Sequence, residues 1–123
     1  MLGSSKMMAF VGTTQAAEAL AFYRDVLGLT LVADEEFAVV FDAHGTTLRI
    51  QKTPAFTPQP FTAAGWEVKS MEQVVKGLVK RGVVFERYGF LTQDVLGIWT
   101  SPGGARVAWF KDPDGNVLSL TQM

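Results

Sequence analysis

The sequence predicts an α+β fold in which one supersecondary unit, β-α-β-β-β, occurs twice within a single domain. Two amphipathic helical segments each end at a glycine, Gly28 and Gly82, where a left-handed helix cap is expected. Short β-rich runs follow both helices in the same order. Residues 53–61 are rich in proline, which cannot donate to a central sheet, and they separate the two copies. We therefore expect module 1 at about residues 7–52 and module 2 at about residues 62–122.

Module 1 begins with an apolar run, residues 7–11, that is typical of a buried strand. In the helix that follows, apolar residues recur at three- and four-residue spacing, and Thr14 is the expected N-cap. Three further strands are predicted to complete the module, over residues 29–34, 37–41 and 46–51.

Module 2 repeats this order with a strand over residues 62–68 and a helix that starts at Ser70. Gln73 follows Ser70 at the spacing of a capping box. The remaining segments are predicted to be a strand (83–86), a long loop (88–97), a further short strand (97–100) and a terminal hairpin (105–122).

The terminal hairpin turns at the Asp-Pro-Asp-Gly-Asn sequence of residues 112–116, where proline presets φ and the Asp and Asn side chains can bond to the turn backbone. This turn and the helix end at residues 21–29, AFYRDVLGL, resemble the vicinal oxygen chelate superfamily, which includes glyoxalase I, bleomycin resistance proteins and extradiol dioxygenases. The resemblance covers roughly residues 7–122. It implies an open, cup-shaped mixed sheet with the helices outside and the ligand in the cup.

In metal-dependent members of that superfamily, four side chains in the cup hold a divalent ion, and they are usually His, Gln or Glu. The resemblance places these positions at Met8, Arg49, Ala63 and Ser119. Methionine sulfur is too soft for the ions concerned, arginine repels a cation, alanine offers no donor and serine is a poor neutral ligand. We therefore expect no metal site and no other cofactor.

Composition narrows the classes of partner. Of the 123 residues 48% are hydrophobic, the formal net charge is −1, and the basic residues are scattered, which argues against nucleic acid and membrane surfaces. The absence of cysteine excludes disulfides and thiolate chemistry, and we expect a cytoplasmic protein without a signal peptide. The single histidine, His44, is expected in a hairpin turn. Because the charge distribution argues against nucleic acid and membrane surfaces, a small molecule is the expected partner.

Strand alternation predicts which side chains face the cup. Most are apolar or aromatic with a few polar anchors, which is typical of a small-molecule site, although aromatic rings can equally fill a collapsed cup as a second core. Tyr88, Phe90 and Trp99, on or near the long loop, are placed at its mouth. The other candidate ligand-binding residues are Met8, Phe10, Phe41, Arg49, Gln51, Glu67, Val107, Trp109, Ser119 and Thr121, and Val39 is predicted on the same face.

Arg49 is the sharpest of these candidates, because a guanidinium at an inward position of a central strand is costly unless it is paired. Its partner is either Glu67, in an internal salt bridge, or an anionic ligand, and the two can coexist.

Two functions are consistent with these residues. The first is metal-independent binding of a small apolar or anionic molecule, as the resemblance to bleomycin resistance proteins implies. The alternative is a glyoxalase-like lyase or isomerase, or a dioxygenase-related enzyme, in which Arg49 stabilises an enolate or carboxylate and Glu67 moves a proton. A third class, an interaction domain without a ligand, is favoured if the cup is filled by its own side chains. The resemblance also implies a homodimer, for which unpaired edge strands give a physical motive.

Overall fold

A computed structural model describes residues 1–123, which form two compact units, Met1–Pro58 and Gln59–Met123. The boundary lies inside the proline-rich connection that separates the two predicted modules. Each unit carries one open, four-stranded mixed sheet and one main helical segment, so the predicted repeat of β-α-β-β-β is confirmed. No helix is long and apolar enough to cross a membrane.

Unit 1 contains the first sheet. Its elements are a 3-10 turn (Leu2–Ser4), β1 (Met8–Thr13), α1 (Ala16–Ala21), a π-helical turn (Phe22–Val26), β2 (Thr30–Asp34), β3 (Ala38–Ala43) and β4 (Thr46–Lys52). The strands lie in the order β1-β4-β3-β2. Strand β1 is parallel to β4, and the other neighbours are antiparallel.

Unit 2 contains the second sheet. Its elements are β5 (Thr62–Glu67), α2 (Met71–Lys80), β6 (Trp99–Thr100), β7 (Arg106–Lys111) and β8 (Val117–Gln122). The strands lie in the order β5-β8-β7-β6, which is the order of the first sheet. Here too the first strand is parallel to the last, and the other pairs are antiparallel.

The core of unit 1 lies between the sheet and its helix. Tyr23 and Phe41 are fully buried in this layer, with ring centroids 5.9 Å apart. Leu48 and Ile50 of β4 are buried beside them. Removing each of these side chains from water stabilises the unit by about 1.5–3 kcal/mol, so this layer fixes which face of the sheet meets the helix.

The core of unit 2 is built in the same way. Phe110 of β7 is fully buried and packs against Phe85, with ring centroids 5.4 Å apart. The apolar stripe of α2 covers this face of the sheet. The other buried side chains on the two sides of the layer are Met71, Val75, Leu78, Ala108, Leu118 and Leu120.

The first helix differs in detail from its prediction. It begins at Ala16, and its N-cap residue is Gln15 instead of the expected Thr14. The Gln15 amide donates to Thr13 Oγ1 at 3.0 Å. The helix ends through the π-helical turn at Gly28, whose φ of 77° confirms the predicted left-handed cap.

The second helix has the predicted N-cap residue but not the predicted capping box. Ser70 makes no side-chain capping bond. Instead, the Met71 amide donates to Gln122 Oε1 at 2.8 Å, so a side chain from the last strand satisfies the first turn of α2. The helix is followed by Gly82 with a φ of 95°, as predicted.

The strand predicted over residues 83–86 is absent as a continuous element, because an insertion interrupts this edge of the sheet. Phe85 forms a single antiparallel bridge with Phe110, and the Glu86 amide donates to the Trp109 carbonyl at 2.8 Å. Pairing resumes only at β6, where Trp99 lies opposite Val107. The predicted short strand at 97–100 is therefore the one that forms, as Trp99–Thr100.

The inserted loop, residues 87–98, is held by the side chain of Gln93. The Gln93 Nε2 atom donates to the carbonyls of Glu86 (3.0 Å) and Gly97 (2.8 Å), and its Oε1 atom accepts from the Tyr88 amide at 2.8 Å. Next to it, Asp94 Oδ1 accepts from the amides of residues 96 and 98. Because these bonds connect both ends of the loop, its conformation is set before any ligand is present.

The terminal turn forms as predicted. Asp112 Oδ1 accepts from the amides of Asp114 and Asn116, both at 2.9 Å, and Asp112 Oδ2 accepts from Asn116 Nδ2 at 2.8 Å. Asp112 and Asn116 are both 6% exposed. The buried carboxylate thus fixes the register between β7 and β8.

Replacing Gln93 by leucine removes the side chain that joins the two ends of the inserted loop. The Tyr88 amide and two carbonyls then lose their partners, so the free energy of unfolding should fall by about 1–3 kcal/mol. Urea denaturation measures this change. Thr92→Ala, on the exposed neighbouring residue, is the matched control and should stay within about 0.5 kcal/mol of the wild type. Equal stability of the two variants would show that the amide does not hold the loop.

Candidate functional site

The sheet face that turns away from the helix carries most of the predicted ligand-binding residues of unit 1. Phe10 lies directly beside Arg49 in the register of β1 and β4, so both side chains belong to the same face. Met8 and Gln51 lie two residues along these strands and share that face. Phe10 is 55% exposed and Met8 is 45% exposed. The β1 side of this face is therefore open, whereas Ala38 and Val40 of β3, which lie opposite Gln51 and Arg49, are buried.

Phe41 and Val39 lie on the other, helix-covered face, so their predicted placement on the ligand face is wrong. Phe41 lies opposite Leu48 and Val39 lies opposite Ile50, and all four side chains are buried. The physical reason is that residues Ala38 to Phe41 are buried on both faces, so β3 shows no alternation from which its orientation could be read.

Arg49 has a protein partner, and that partner is Glu35 instead of the predicted Glu67. Arg49 Nη1 lies 3.4 Å from Glu35 Oε1, with 30% of the arginine side chain exposed. Lys52 Nζ contacts the Glu35 carbonyl and Asp34 Oδ1, each at 2.7 Å, and so holds the turn that presents Glu35. Because this pair is partly exposed, it supplies charge balance for Arg49 and little stability.

A small cavity of about 280 Å³ lies on the same face of unit 1. The ring of Phe56, from the proline-rich connection, lies over Gly12, where a Cβ atom would meet it at 3.4 Å. Of the predicted site residues, this cavity brings together Phe10 and Gln51. Its full lining is Phe10, Val11, Gly12, Gln51, Thr53 and Phe56.

In unit 2 the register confirms the predicted facing of β7 and β8. Trp109 lies opposite Ser119, which lies beside Gly65 of β5. A Cβ atom at Gly65 would approach Ser119 Oγ to 2.6 Å, so only glycine allows β5 to pass the serine at this distance. Two residues further along these strands, Val107 lies opposite Thr121.

Four aromatic rings gather on this face at the edge of the sheet. Trp109 lies 5.5 Å from Tyr88, edge to face at 84°, and 6.0 Å from Trp99. Tyr88 lies 5.8 Å from Phe90. A cavity of about 310 Å³ opens among these rings, and we call it the aromatic pocket. Its lining residues are Pro60, Phe61, Thr62, Tyr88, Phe90, Leu91, Trp99, Trp109 and Val117.

The aromatic pocket depends on the inserted loop. Tyr88, Phe90 and Leu91 come from that loop, and the Gln93 side chain holds the Tyr88 backbone amide. Trp99 and Trp109 come from the strands on which the loop rests. The loop and the sheet thus supply opposite walls of one cavity.

The electrostatic surroundings of Tyr88 disfavour negative charge. Burial, and after it the carboxylate of Glu86, raise the pKa of the Tyr88 phenol, while Lys111 acts weakly in the opposite direction. Lys111 Nζ lies 3.5 Å from Glu86 Oε1. The phenol is therefore protonated at neutral pH and able to donate a hydrogen bond.

The sequence-based prediction found three members of the aromatic pocket among its site residues, Tyr88, Trp99 and Trp109, and it named Phe90 beside them. It missed Pro60 and Phe61, which come from the proline-rich connection and also line the pocket. The aromatic side chain of Phe61 was the one feature of the sequence that could have indicated this. The structure places the remaining candidates of unit 2 on the sheet but outside the pocket lining. These are Glu67, Val107, Ser119 and Thr121.

The four residues that the resemblance places at the superfamily's metal positions do not fit a divalent ion. Met8 offers a thioether, Ala63 offers no donor, and Ser119 offers a neutral hydroxyl that is 8% exposed. Arg49 is a cation that already pairs with Glu35. No group of three or more His, Cys, Asp or Glu side chains is placed to hold a metal ion. His44 has a φ of 51° and lies in the exposed β3–β4 turn, as predicted.

Solved structures match this fold along almost the whole chain. A lactoylglutathione lyase from Agrobacterium tumefaciens is 16% identical with a TM-score of 0.74, covering 97% of this chain and 93% of its own. A superfamily member from Sphaerobacter thermophilus is 23% identical with a TM-score of 0.74, covering 95% and 97%. A fosfomycin resistance protein from Listeria monocytogenes is 13% identical with a TM-score of 0.75, covering 98% and 93%.

Sequence comparison identifies the family. No curated protein matches the chain significantly. The model of the Glyoxalase/Bleomycin resistance protein/Dioxygenase superfamily matches residues 7–120, which is most of the chain. The chain therefore belongs to this superfamily, as its turn and helix-end residues predicted.

Proposed function

We propose that this protein binds a small molecule in the aromatic pocket of unit 2 and that it does so without a metal ion. The observation that carries the proposal is the cavity of about 310 Å³ among four aromatic rings on a sheet face that no helix covers. A cavity of this size, mainly apolar with few polar groups, is typical of small-molecule sites.

The alternative that the rings only fill a second core has less support. Phe90 is 83% exposed, and Tyr88, Trp99 and Trp109 are each partly exposed. Rings that formed a core would be buried and closely packed, without a cavity between them. Keeping large apolar surface open to water is unfavourable by about 25 cal/mol per Å², so an apolar ligand gains by covering it.

The enzymatic alternative, in which Arg49 and Glu67 replace a metal, also has less support. Arg49 is paired with Glu35, so charge balance does not require an anionic substrate. Glu67 lies on an exposed position of β5 in the other unit. No observation places these two groups around one reacting atom.

We also propose that the protein is a cytoplasmic homodimer. Exposed apolar surface on unit 1 supports the dimer, since Phe37 is 70%, Phe10 55% and Met8 45% exposed. Strands β2 and β6 also lie at sheet edges without a partner strand on their outer side. Light scattering of the purified protein at micromolar concentration should give the mass of two chains. A single-chain mass would contradict the dimer and leave the proposal for the aromatic pocket standing.

Binding in the aromatic pocket should be visible in tryptophan fluorescence, because Trp99 and Trp109 line the cavity and Trp66 does not. A panel of small neutral and charged compounds is screened for quenching of the wild type. Trp66→Phe should keep the full response of any compound that binds. The double variant Trp99→Phe/Trp109→Phe, which retains only Trp66, should lose it. Undiminished quenching in the double variant would place the ligand elsewhere, and no response from any compound would contradict binding itself.

Metal removal should leave binding intact. After dialysis against a chelator, the dissociation constant of the tightest compound found by fluorescence should be unchanged, because none of the family metal positions carries a suitable donor. Elemental analysis of the undialysed protein should likewise find no stoichiometric divalent ion. Affinity that falls on chelation and returns with one divalent ion would refute the metal-independent mode.

A further inference from the structure

The polar groups around the aromatic pocket are all neutral. The side chains of its lining residues carry four such groups, the hydroxyls of Tyr88 and Thr62 and the indole N–H groups of Trp99 and Trp109, and each of these groups can donate a hydrogen bond. No Lys, Arg, Asp, Glu or His lines the cavity. A charged ligand would therefore lose its hydration without gaining a counter-charge, which is costly.

The charges that influence Tyr88 do not change this conclusion. Lys111 and Glu86, which influence Tyr88, lie 3.5 Å from each other and form an ion pair. Burial, and after it Glu86, raise the pKa of the Tyr88 phenol, so this lining residue stays neutral and keeps its proton for a hydrogen bond. Arg49, the cation considered for an anionic ligand, already pairs with Glu35.

The Tyr88 hydroxyl is free to bind a ligand. It has no hydrogen-bond partner within the chain, and no buried side-chain N or O atom lacks a partner, so this hydroxyl is reached by solvent. The Tyr88 backbone amide is held by Gln93 Oε1 at 2.8 Å, and its ring packs edge to face on Trp109. The donor is therefore oriented in advance, which lowers the entropy lost on binding.

We propose that the aromatic pocket selects an uncharged aromatic compound that carries a neutral oxygen acceptor, and that the Tyr88 hydroxyl donates a hydrogen bond to that oxygen. The inference rests on the proposed function and adds the chemical class of the ligand. Aromatic ligands suit the pocket because Tyr88, Trp99 and Trp109 offer both ring faces and ring edges within 6.0 Å of one another. The neutral acceptor suits it because the lining residues carry neutral donor groups and no charged ones.

A series of compounds with one ring system tests the class of ligand. 2-Acetylnaphthalene is neutral with a carbonyl acceptor, naphthalene lacks the acceptor, 2-naphthoate is the anionic analogue, and trimethyl(2-naphthyl)ammonium is the cationic one. Isothermal titration calorimetry should rank 2-acetylnaphthalene tightest and both ions weaker by at least about 10-fold. Tightest binding of the anion or of the cation would overturn the inference, and the cation would indicate a cation–π cage.

Two variants test the role of Tyr88. Tyr88→Phe keeps the ring and should weaken 2-acetylnaphthalene about 3- to 10-fold while leaving naphthalene unchanged, since one neutral hydrogen bond is lost. Thr92→Val removes a hydroxyl on the same loop but outside the lining and is the matched control, for which no change is expected. An unchanged affinity in Tyr88→Phe, or an equal loss in Thr92→Val, would overturn the assignment of the donor.

The outcomes separate the two proposals. If charged compounds from the fluorescence screen bind at Trp99 and Trp109 and the neutral naphthalenes do not, the ligand class is wrong and the proposed function holds. If no compound of any charge binds, both are wrong.

Discussion

The candidate site depends on three hydrogen bonds made by one side-chain amide. Gln93 connects the carbonyls of Glu86 and Gly97 and the amide of Tyr88, and so joins the two ends of the loop inserted into the edge of the second sheet. Without this connection the insertion would be free to move away from β7. With it, Tyr88 and Phe90 are held over the sheet, and Trp109 becomes the floor of a cavity instead of an exposed ring.

The arrangement differs from the metal-centred chemistry known in the superfamily. Metal-dependent members need hard donors that converge from several strands. Here the corresponding positions carry a thioether, a paired guanidinium, a methyl and a hydroxyl, while aromatic rings are concentrated at the edge of one sheet. The chain keeps the fold of the family. In the function that we propose, apolar contact and neutral hydrogen bonds take the place of coordination.

The sequence predicted the repeat, both helix ends, the terminal turn and the facing of β1, β4, β7 and β8, because each of these is a local pattern of period, proline or glycine. It failed where the deciding contact depends on how separate elements pack. Gln122 accepts from the first amide of α2 from 51 positions away, and Glu35, in the turn between β2 and β3, reaches Arg49 across β3. It also failed on β3, where burial on both faces erases the alternation that orients a strand. The interrupted edge strand was predicted only in part. The strand propensity of residues 83–86 and 97–100 was recognised, but not that both segments pair with β7 along one edge.

The central claim is that the Gln93-held loop and β7 enclose a ligand between them. The indole N–H signals in a two-dimensional ¹H–¹⁵N NMR spectrum test it most directly, because Trp99 and Trp109 line the pocket and Trp66 does not. On titration with the compound that binds tightest in the fluorescence screen, the signals of Trp99 and Trp109 should shift together and saturate while that of Trp66 stays in place. A shift of Trp66 alone, or no saturable shift of Trp99 and Trp109, would contradict the account.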